Sequence, residues 1–461
     1  VDPARDGADR RRGAAVTLAA ATRERYLAAY DRVTGNGRRR PAWLRRLRGE
    51  AKDRFLGAGF PDAKHEDWKY TNLAALEGGE FEPAPHRGAP SPDDVSRYRP
   101  GEMEGRVLVF VDGRYRRELS TQGALPHGAY IGSLAEALSG EIDGLVPYFT
   151  PTPVNAFTDL NTMLMEDGAF IHLGRNVEVA EPVHLLFLPS ASGRAAMSHP
   201  RNLVVAGENS RVAIVERYAG GGDTGHFTNA VTDIVAGPNA AVSHFRIQEE
   251  SASAFHVATL RSRQGKGSRF AGHTASFGAS LSRYDIHAVL DGERADCLLN
   301  GLYLGKGRQH VDHFITVDHA KPSGASREYF HGVLGDQARG VFRGRVIVRR
   351  DAQGTDARQN NRNLLLSKES EADSRPQLEI HADDVKCTHG ATVGPLDEEK
   401  VFYLRSRGID EESAKGLLTW AFAADILQRF DLPGIRRDVE SKLLSWLPDT
   451  HRIRDFPHET G

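Results

Sequence analysis

The sequence predicts a mainly β protein whose core is a right-handed parallel β-helix, a solenoid, with α-helical regions before and after it. Three observations carry this. First, short alternating runs recur after Gly-led turns: GRNVEV at 174, GENSRV at 207, GPNAAV at 237, GKGSRF at 265, GERADC at 292 and GDQARG at 335. Their starts differ by 33, 30, 28, 27 and 43 residues, the period of a stacked-repeat architecture. Propeller blades are longer and carry a Trp-Asp type mark that is absent here, whereas a β-helix stacks each coil's flat strands on the next. Second, no long run of helical periodicity appears from Leu173 to Pro395. Third, that periodicity does appear on both flanks.

In chain order, residues 1–20 read as a disordered tail, 21–105 as an N-terminal helical region with its linker, 106–396 as the β-helix core and 397–461 as a C-terminal helical domain. The start lacks the apolar run of a signal peptide, and Asp2, Asp6 and Asp9 argue against an organelle transit peptide. Residues 22–33 and 41–58 read as helices, with Pro41 suited to a helix start and Trp43, Leu44, Leu47, Phe55 and Leu56 forming an apolar side. From Arg23 to Arg54 there are 11 Lys/Arg against 4 Asp/Glu, either a solvated basic face or a docking surface for an acidic partner. In HEDWKYTNL, Trp68 and Tyr70 are large anchors for a segment that packs onto something. Pro and Gly crowd residues 83–101, and VLVFVDG from Val107 opens the strand-forming region.

Within the core, Gln359, Asn360, Asn361 and Asn363 are expected to form amide ladders between coils. A solenoid has two raw ends. The N-terminal helical region is expected to cover one, and the C-terminal helices either to cover the other or to meet a partner. Asp397 caps a helix ending at Gly408, and Asp410 caps a longer one. In the latter, Leu418, Phe422, Ile426 and Phe430 recur at every fourth residue, beside Leu417, Ala421 and Leu427. Pro433-Gly434 stops it, and a last helix spans Ile435 to Leu447.

The net charge of −2 gives no electrostatic case for nucleic acid or membrane. No apolar run has the length of a membrane span. Cys297 and Cys387 are the whole cysteine content, which fits a reducing cytoplasm. Gly220, Gly222 and Gly225 match G-x-G-x-x-G, but strands flank them where a dinucleotide site needs a helix, so they read as a hairpin loop. GLYLGK at 301–306 lacks the spacing and the Ser/Thr of a P-loop. The run His310, Asp312, His313, Asp318 and His319 holds metal-binding residue types, yet alternation sends His313 away from His310 and Asp312. An exposed coil edge or a subunit contact is expected there.

The most informative stretch is Pro376–Ile409. Leu378 and Ile380 alternate with polar residues as in a strand, Asp383-Asp384 turns, and a second short strand follows, which Gly390 and Gly394 then break. Alternation puts Val385, Cys387 and His389 on one face, residues two apart lying about 7 Å from each other. A thiol and an imidazole so placed are either a buried core residue beside a polar strand end or half of a metal site. By residues alone, a scaffold subunit and a solenoid carbohydrate-active enzyme both remain open.

The words PQLEI, ADDVKCTHGATVG and FYLRSRGI resemble the C-terminal signature of the SufB/SufD family, the scaffold subunits of the SUF iron–sulfur cluster assembly machine. W-K-Y-T at Trp68 and AFTDLNTMLMEDGAFIHL from Ala156 resemble earlier family words. The SufD branch is closer than SufB: where SufB carries a Cys in a C-D-S-L-L word, this chain has Asn363-Leu364-Leu365-Leu366, and it then reads KCTHGATVG. The resemblance implies a non-catalytic, cytoplasmic subunit that pairs with SufB through the solenoid ends and docks the ATPase SufC. It is expected to bind no nucleotide, nucleic acid or membrane itself, and to pair with a second copy when isolated; no flavin site is assigned. His389, with Cys387, is implied as a ligand of a transient iron–sulfur cluster shared with SufB, and Leu418, Phe422 and Ile426 as the SufC-docking residues. A SufB-like paralogue is the alternative.

Overall fold

The computed structural model describes residues 20–35, 40–85, 88–99, 105–139, 145–149, 155–191, 195–220, 222 and 225–447. The expected tail, except Ala20, and residues 448–461 lie outside these. The chain is mainly β: a parallel solenoid of about seven turns with helices at both ends. Each coil contributes one strand to an 11-stranded sheet and the next to a 10-stranded sheet. Neighbouring coils pair in parallel, in register, as in Phe255–Gln264 against Leu281–Leu290. Antiparallel pairing occurs at the N-terminal end, where Phe110 faces Tyr115 and Ala129 faces Leu173. Strict register stacks like on like. Leu260, Ile286 and Ile315 form one inward row, joined across the core by Ile214, Leu299 and Phe330. Each such side chain contributes about 1.5–3 kcal/mol by leaving water.

The Gly-led turns join the first sheet to the second. The leading glycine is needed because the previous coil's turn lies against it: a Cβ on Gly207 would stand 2.7 Å from the Leu173 carbonyl oxygen. Two residues on, the chain turns left-handed, at Asn176, Asn209 and Asn239 with φ of 59, 57 and 56°. Asn tolerates this conformation better than most residues. These three form an amide ladder: Asn209 Nδ2 donates to Asn176 Oδ1 at 2.8 Å, and Asn239 Nδ2 to Asn209 Oδ1 at 3.2 Å. The ladder expected at Gln359–Asn363 is different. There Gln359 bonds Glu328 and Asn361 bonds the Phe330 carbonyl and Tyr303, so amides meet mixed partners. The turn at Gly335 lies on the opposite side of the solenoid, joining second sheet to first, which explains its odd 43-residue offset. The strands on either side of Gly220 and Gly225, Arg211–Gly220 and His226–Ala236, belong to different sheets and so do not form the expected hairpin.

The helical regions lie along the flanks rather than over the ends. In Ala20–Thr34 and Ala42–Ala58, Tyr26, Ala51 and Phe55 are buried with Phe157 of the helix Ala156–Leu164, itself started by an Asn155 capping box. Much of the basic stretch is spent internally. Arg48 is buried and donates to the Met165 carbonyl, Arg54 pairs with Asp159 at 2.8 Å, and Arg23 and Arg25 donate to the carbonyls of Leu56 and Glu77. Trp68 anchors this region as expected, stacked on Phe157 with the Arg283 guanidinium 3.6 Å from its ring. On the other flank, Glu411–Leu427 and Pro433–Trp446 cover the outward face of the second sheet, burying Phe245, Ile247, Leu302 and Val333 under Ile426, Leu427, Phe430, Val439 and Leu443.

The turn ladder predicts an order of stabilities. Asn209→Ala loses two ladder bonds and strains a left-handed residue, a cost of about 1–2 kcal/mol. Asn209→Gly loses the bonds alone and should fall between Ala and wild type in denaturant midpoint. Equal midpoints for Ala and Gly would show that backbone conformation contributes nothing at this turn.

Candidate functional site: the open end of the solenoid

The final coil is Glu371–Ile380 and Val385–Pro395, each the edge strand of its sheet. Among the described residues nothing pairs with either outer edge. The second strand runs eleven residues, straight through Gly390 and Gly394, which therefore do not break it. In-register pairing holds it: Ala357 with Cys387, Gln359 with His389, Asn363 with Val393. Glycine weakens a strand by entropy alone, and a full parallel ladder outweighs that. Leu366, Ile380 and Val393 are 36, 42 and 45% exposed at this end; the register equivalents of Ile380 and Val393 in the coil before, Val348 and Asn363, are buried.

Cys387 and His389 share the inward face of this strand, as alternation predicts. Cys387 is half-buried against Val346, Val348 and Ala357, and burial raises its thiol above the ordinary range. His389 is exposed at the mouth of the solenoid. Cys297 stands in the same row, through Ser326 and Ala357, three strands deeper. At the usual strand spacing that is roughly 14 Å from Cys387, so the two thiols cannot share a centre. Cys297 is fully buried, and its thiol is pushed well above the ordinary range by desolvation.

Beneath the mouth the interior is polar. Glu328 is fully buried, and Gln359 Nε2 donates to its Oε2 at 2.8 Å. Asn361 Nδ2 donates to Tyr303 Oη at 3.2 Å, and Ser374 Oγ donates to Asn361 Oδ1 at 2.7 Å. Sequence reading missed Glu328. The signal available is its place in ASREYFHGVL, on the same alternating face as Phe330.

The His310–His319 strand is not an exposed edge. It lies between two other strands of the first sheet, with Asp312, His313 and His319 buried. His310 and Asp312 face outward and bond Thr71; Arg283 also bonds Asp312. His313 points inward onto Tyr303, and desolvation pulls it down to about 3. His319 Nε2 meets Ser326 Oγ at 2.9 Å. No group of three or more His, Cys, Asp or Glu among the described residues is placed to hold a metal.

The C-terminal helices present a different surface from the apolar stripe. Ile426 is fully buried on the solenoid, Phe422 is half-buried and stacks on His331 at 4.7 Å, and Leu418 is half-buried. The exposed aromatics are Phe402 and Tyr403, 73 and 57% exposed, on the Asp397-capped helix Glu398–Ser406. Phe402 borders a groove of about 560 Å³ lined also by Leu366, Leu396, Val401 and Leu447.

Comparison with known proteins agrees with this layout. Residues 187–422 match the family described as "SUF system FeS cluster assembly, SufBD core domain", and residues 21–185 match "SufBD protein N-terminal region". The chain is 35% identical to an iron–sulfur cluster assembly SufBD family protein of Synechocystis, over 84% of this chain and 87% of that one. It is 30% identical to the iron–sulfur cluster assembly protein SufD of Escherichia coli, over 86% and 91% of the two chains. With the protein of that name from Bacillus subtilis the figures are 26%, 87% and 93%.

Burial pushes the Glu328 carboxyl up to about 8. In the unfolded chain it titrates near 4.3. Between those values the folded state holds a proton that the unfolded state releases, so the stability this group contributes is present at low pH and lost as pH rises through about 8. Glu328→Gln keeps the volume and cannot ionise. It should gain stability relative to wild type as pH rises through that window, read from paired denaturation curves. Curves that stay parallel throughout would mean the carboxylate is ionised in the fold.

Proposed function

The chain belongs to the SufBD family of SUF-system iron–sulfur cluster assembly proteins, and on that premise we propose that it is a SufD-type scaffold subunit. In this reading it contributes one ligand, His389, to a nascent cluster formed where its open solenoid end meets SufB. The observation that carries the reading is the mouth itself. An exposed imidazole sits on an unpaired parallel edge, in a final coil whose Ile380 and Val393 are uncovered. An unpaired edge with exposed apolar residues is a surface that another strand or solenoid completes.

The cluster is cargo and not a resident group. A neutral imidazole offers a lone pair without losing a proton, and histidine ligation of iron–sulfur clusters is an established variation. This chain brings no second thiol near His389, since Cys297 is buried three strands away, so SufB supplies the thiolates. A cluster held across a seam by ligands from two chains is released when the seam opens. Cys387, half-buried beside Ala357, is a weaker contributor.

The ATPase activity is assigned to a separate subunit, SufC. GLYLGK lies in the strand Asp296–Gly305 and its turn, and the glycines at 220–225 lead into a strand, so neither forms a phosphate cradle at a helix start. Helical regions pack on the outer faces of both sheets, which favours a scaffold over a solenoid carbohydrate-active enzyme. The surface for SufC is the exposed Phe402 and Tyr403 with the groove beside them, in place of the Leu418, Phe422 and Ile426 stripe. No helix among the described residues is long and apolar enough to cross a membrane, and the compartment proposed is the cytoplasm.

Two experiments test this. In complexes purified anaerobically with SufB and SufC, His389→Ala should lower cluster iron at least about ten-fold without dissociating the complex; Cys387→Ser should keep part of it, and Cys297→Ala nearly all. Full cluster content in His389→Ala would remove the ligand role. Separately, Phe402→Asp combined with Tyr403→Asp should abolish co-purification with SufC at unchanged thermal stability, whereas Ile426→Asp should unfold the C-terminal packing at a cost of about 3–5 kcal/mol. SufC retention by the double variant would place its docking site elsewhere.

A further inference from the structure

Register stacks four residues in one inward file of the second sheet: Leu299, Glu328, Gln359 and His389. Leu299, which follows Gly272, is the last apolar member of the file. Glu328 and Gln359 are 0 and 2% exposed, and buried polar groups require partners. Gln359 has one: its Nε2 donates to Glu328 Oε2 at 2.8 Å, toward the preceding coil. The side chain lies across the interior against Gly344 of the opposite sheet, where a Cβ would come within 2.1 Å of that Nε2. The amide thus fills space that Gly344 leaves empty and is held on that side.

An amide carries its nitrogen and oxygen on opposite sides of one carbon. With Nε2 committed to the preceding coil, Oε1 is left to accept from another group. That oxygen is buried and has no partner. The turn ladder shows the completed arrangement, since Asn209 donates back to Asn176 and accepts from Asn239. Gln359 has the first half of that pattern and lacks the second. The residue in register with it on the following strand is His389.

We propose that Gln359 is a positioning residue for His389: its side-chain oxygen, aimed by the bond to Glu328, accepts the ring N–H of His389 and turns the other ring nitrogen out of the solenoid mouth as the metal-binding atom. The inference rests on the reading of His389 as a cluster ligand and adds what orients it. A side-chain amide oxygen only accepts, so the ring nitrogen that meets it must carry the hydrogen. The lone pair is thereby confined to the other nitrogen, the role that a partner behind a ligating histidine commonly plays. Exchanging the pair, Glu328→Gln together with Gln359→Glu, keeps both the bond between the two side chains and an acceptor at this place; Gln359→Leu keeps neither.

The test reads the tautomer directly. The isolated chain is labelled with ¹⁵N-histidine and its spectrum recorded above the imidazole titration range, with His389→Ala used to assign the signal. Wild type and the exchanged pair should show His389 locked in one tautomer, and Gln359→Leu should show the averaged shifts of a free histidine. Gly344→Ala, which pushes the amide aside without removing it, should match Gln359→Leu and serves if the latter does not fold. In the SufB- and SufC-containing complex, Gln359→Leu should lower cluster iron by about ten-fold or more, with the exchanged pair near wild type. A wild-type spectrum already averaged, or one unchanged by Gln359→Leu and Gly344→Ala, overturns the positioning role. Cluster retained in His389→Ala overturns instead the ligand reading beneath it, so the two failures are distinguishable.

Discussion

In-register parallel stacking is the constraint on which the rest of this molecule depends. Each strand residue stands beside its equivalent in the coils before and after, about 4.8 Å away. A residue in the file must therefore suit two neighbours of similar position and not one. Apolar files satisfy this by packing, as Leu260, Ile286 and Ile315 do. Polar files satisfy it by passing hydrogen bonds along the stack, as Asn176, Asn209 and Asn239 do. The constraint also explains why the last coil differs from the others. Its residues keep the inward pattern but lose one neighbour, and the face that would be core becomes surface.

The solenoid was legible because its leading turn glycines are required by close backbone approach, and such positions recur at the coil period. The second set of turns was not legible in the same way. Those at Ser251, Phe277 and Lys306 carry no leading glycine, so two strands per coil could not be read from spacing. Gly390 and Gly394 misled for a related reason: glycine marks breaks in isolated strands, yet a parallel ladder carries the chain through both. Helix starts at Asp397 and Asp410 were readable, because a capping side chain is a local requirement.

At the candidate site the pair Cys387 and His389 followed from period-two alternation, whereas their surroundings did not. Glu328 and Gln359 lie 61 and 30 residues before His389 in the chain and reach its file only through the register. Which side of the Glu411–Leu427 helix is buried was also beyond the sequence. Leu418 and Ile426 look equivalent in periodicity, but the outward face of the second sheet, with Phe245, Ile247 and Leu302, takes Ile426 fully and Leu418 in part.

The C-terminal helices are fastened along the solenoid wall at widely separated coils. Asp438 and Lys442 hold Arg217 and Glu249, while His331 Nδ1 meets the Phe422 carbonyl at 3.0 Å several coils further on. Helices tied at both ends of such a span behave as a brace. A torque applied to them is not absorbed by a hinge; it is delivered to the whole stack as a twist about its long axis. The stack is stiff where a ladder flanks every strand on both sides, and it yields at the last coil, which is held on one side. That coil, which holds His389, is the one with the fewest strand neighbours to resist such a twist.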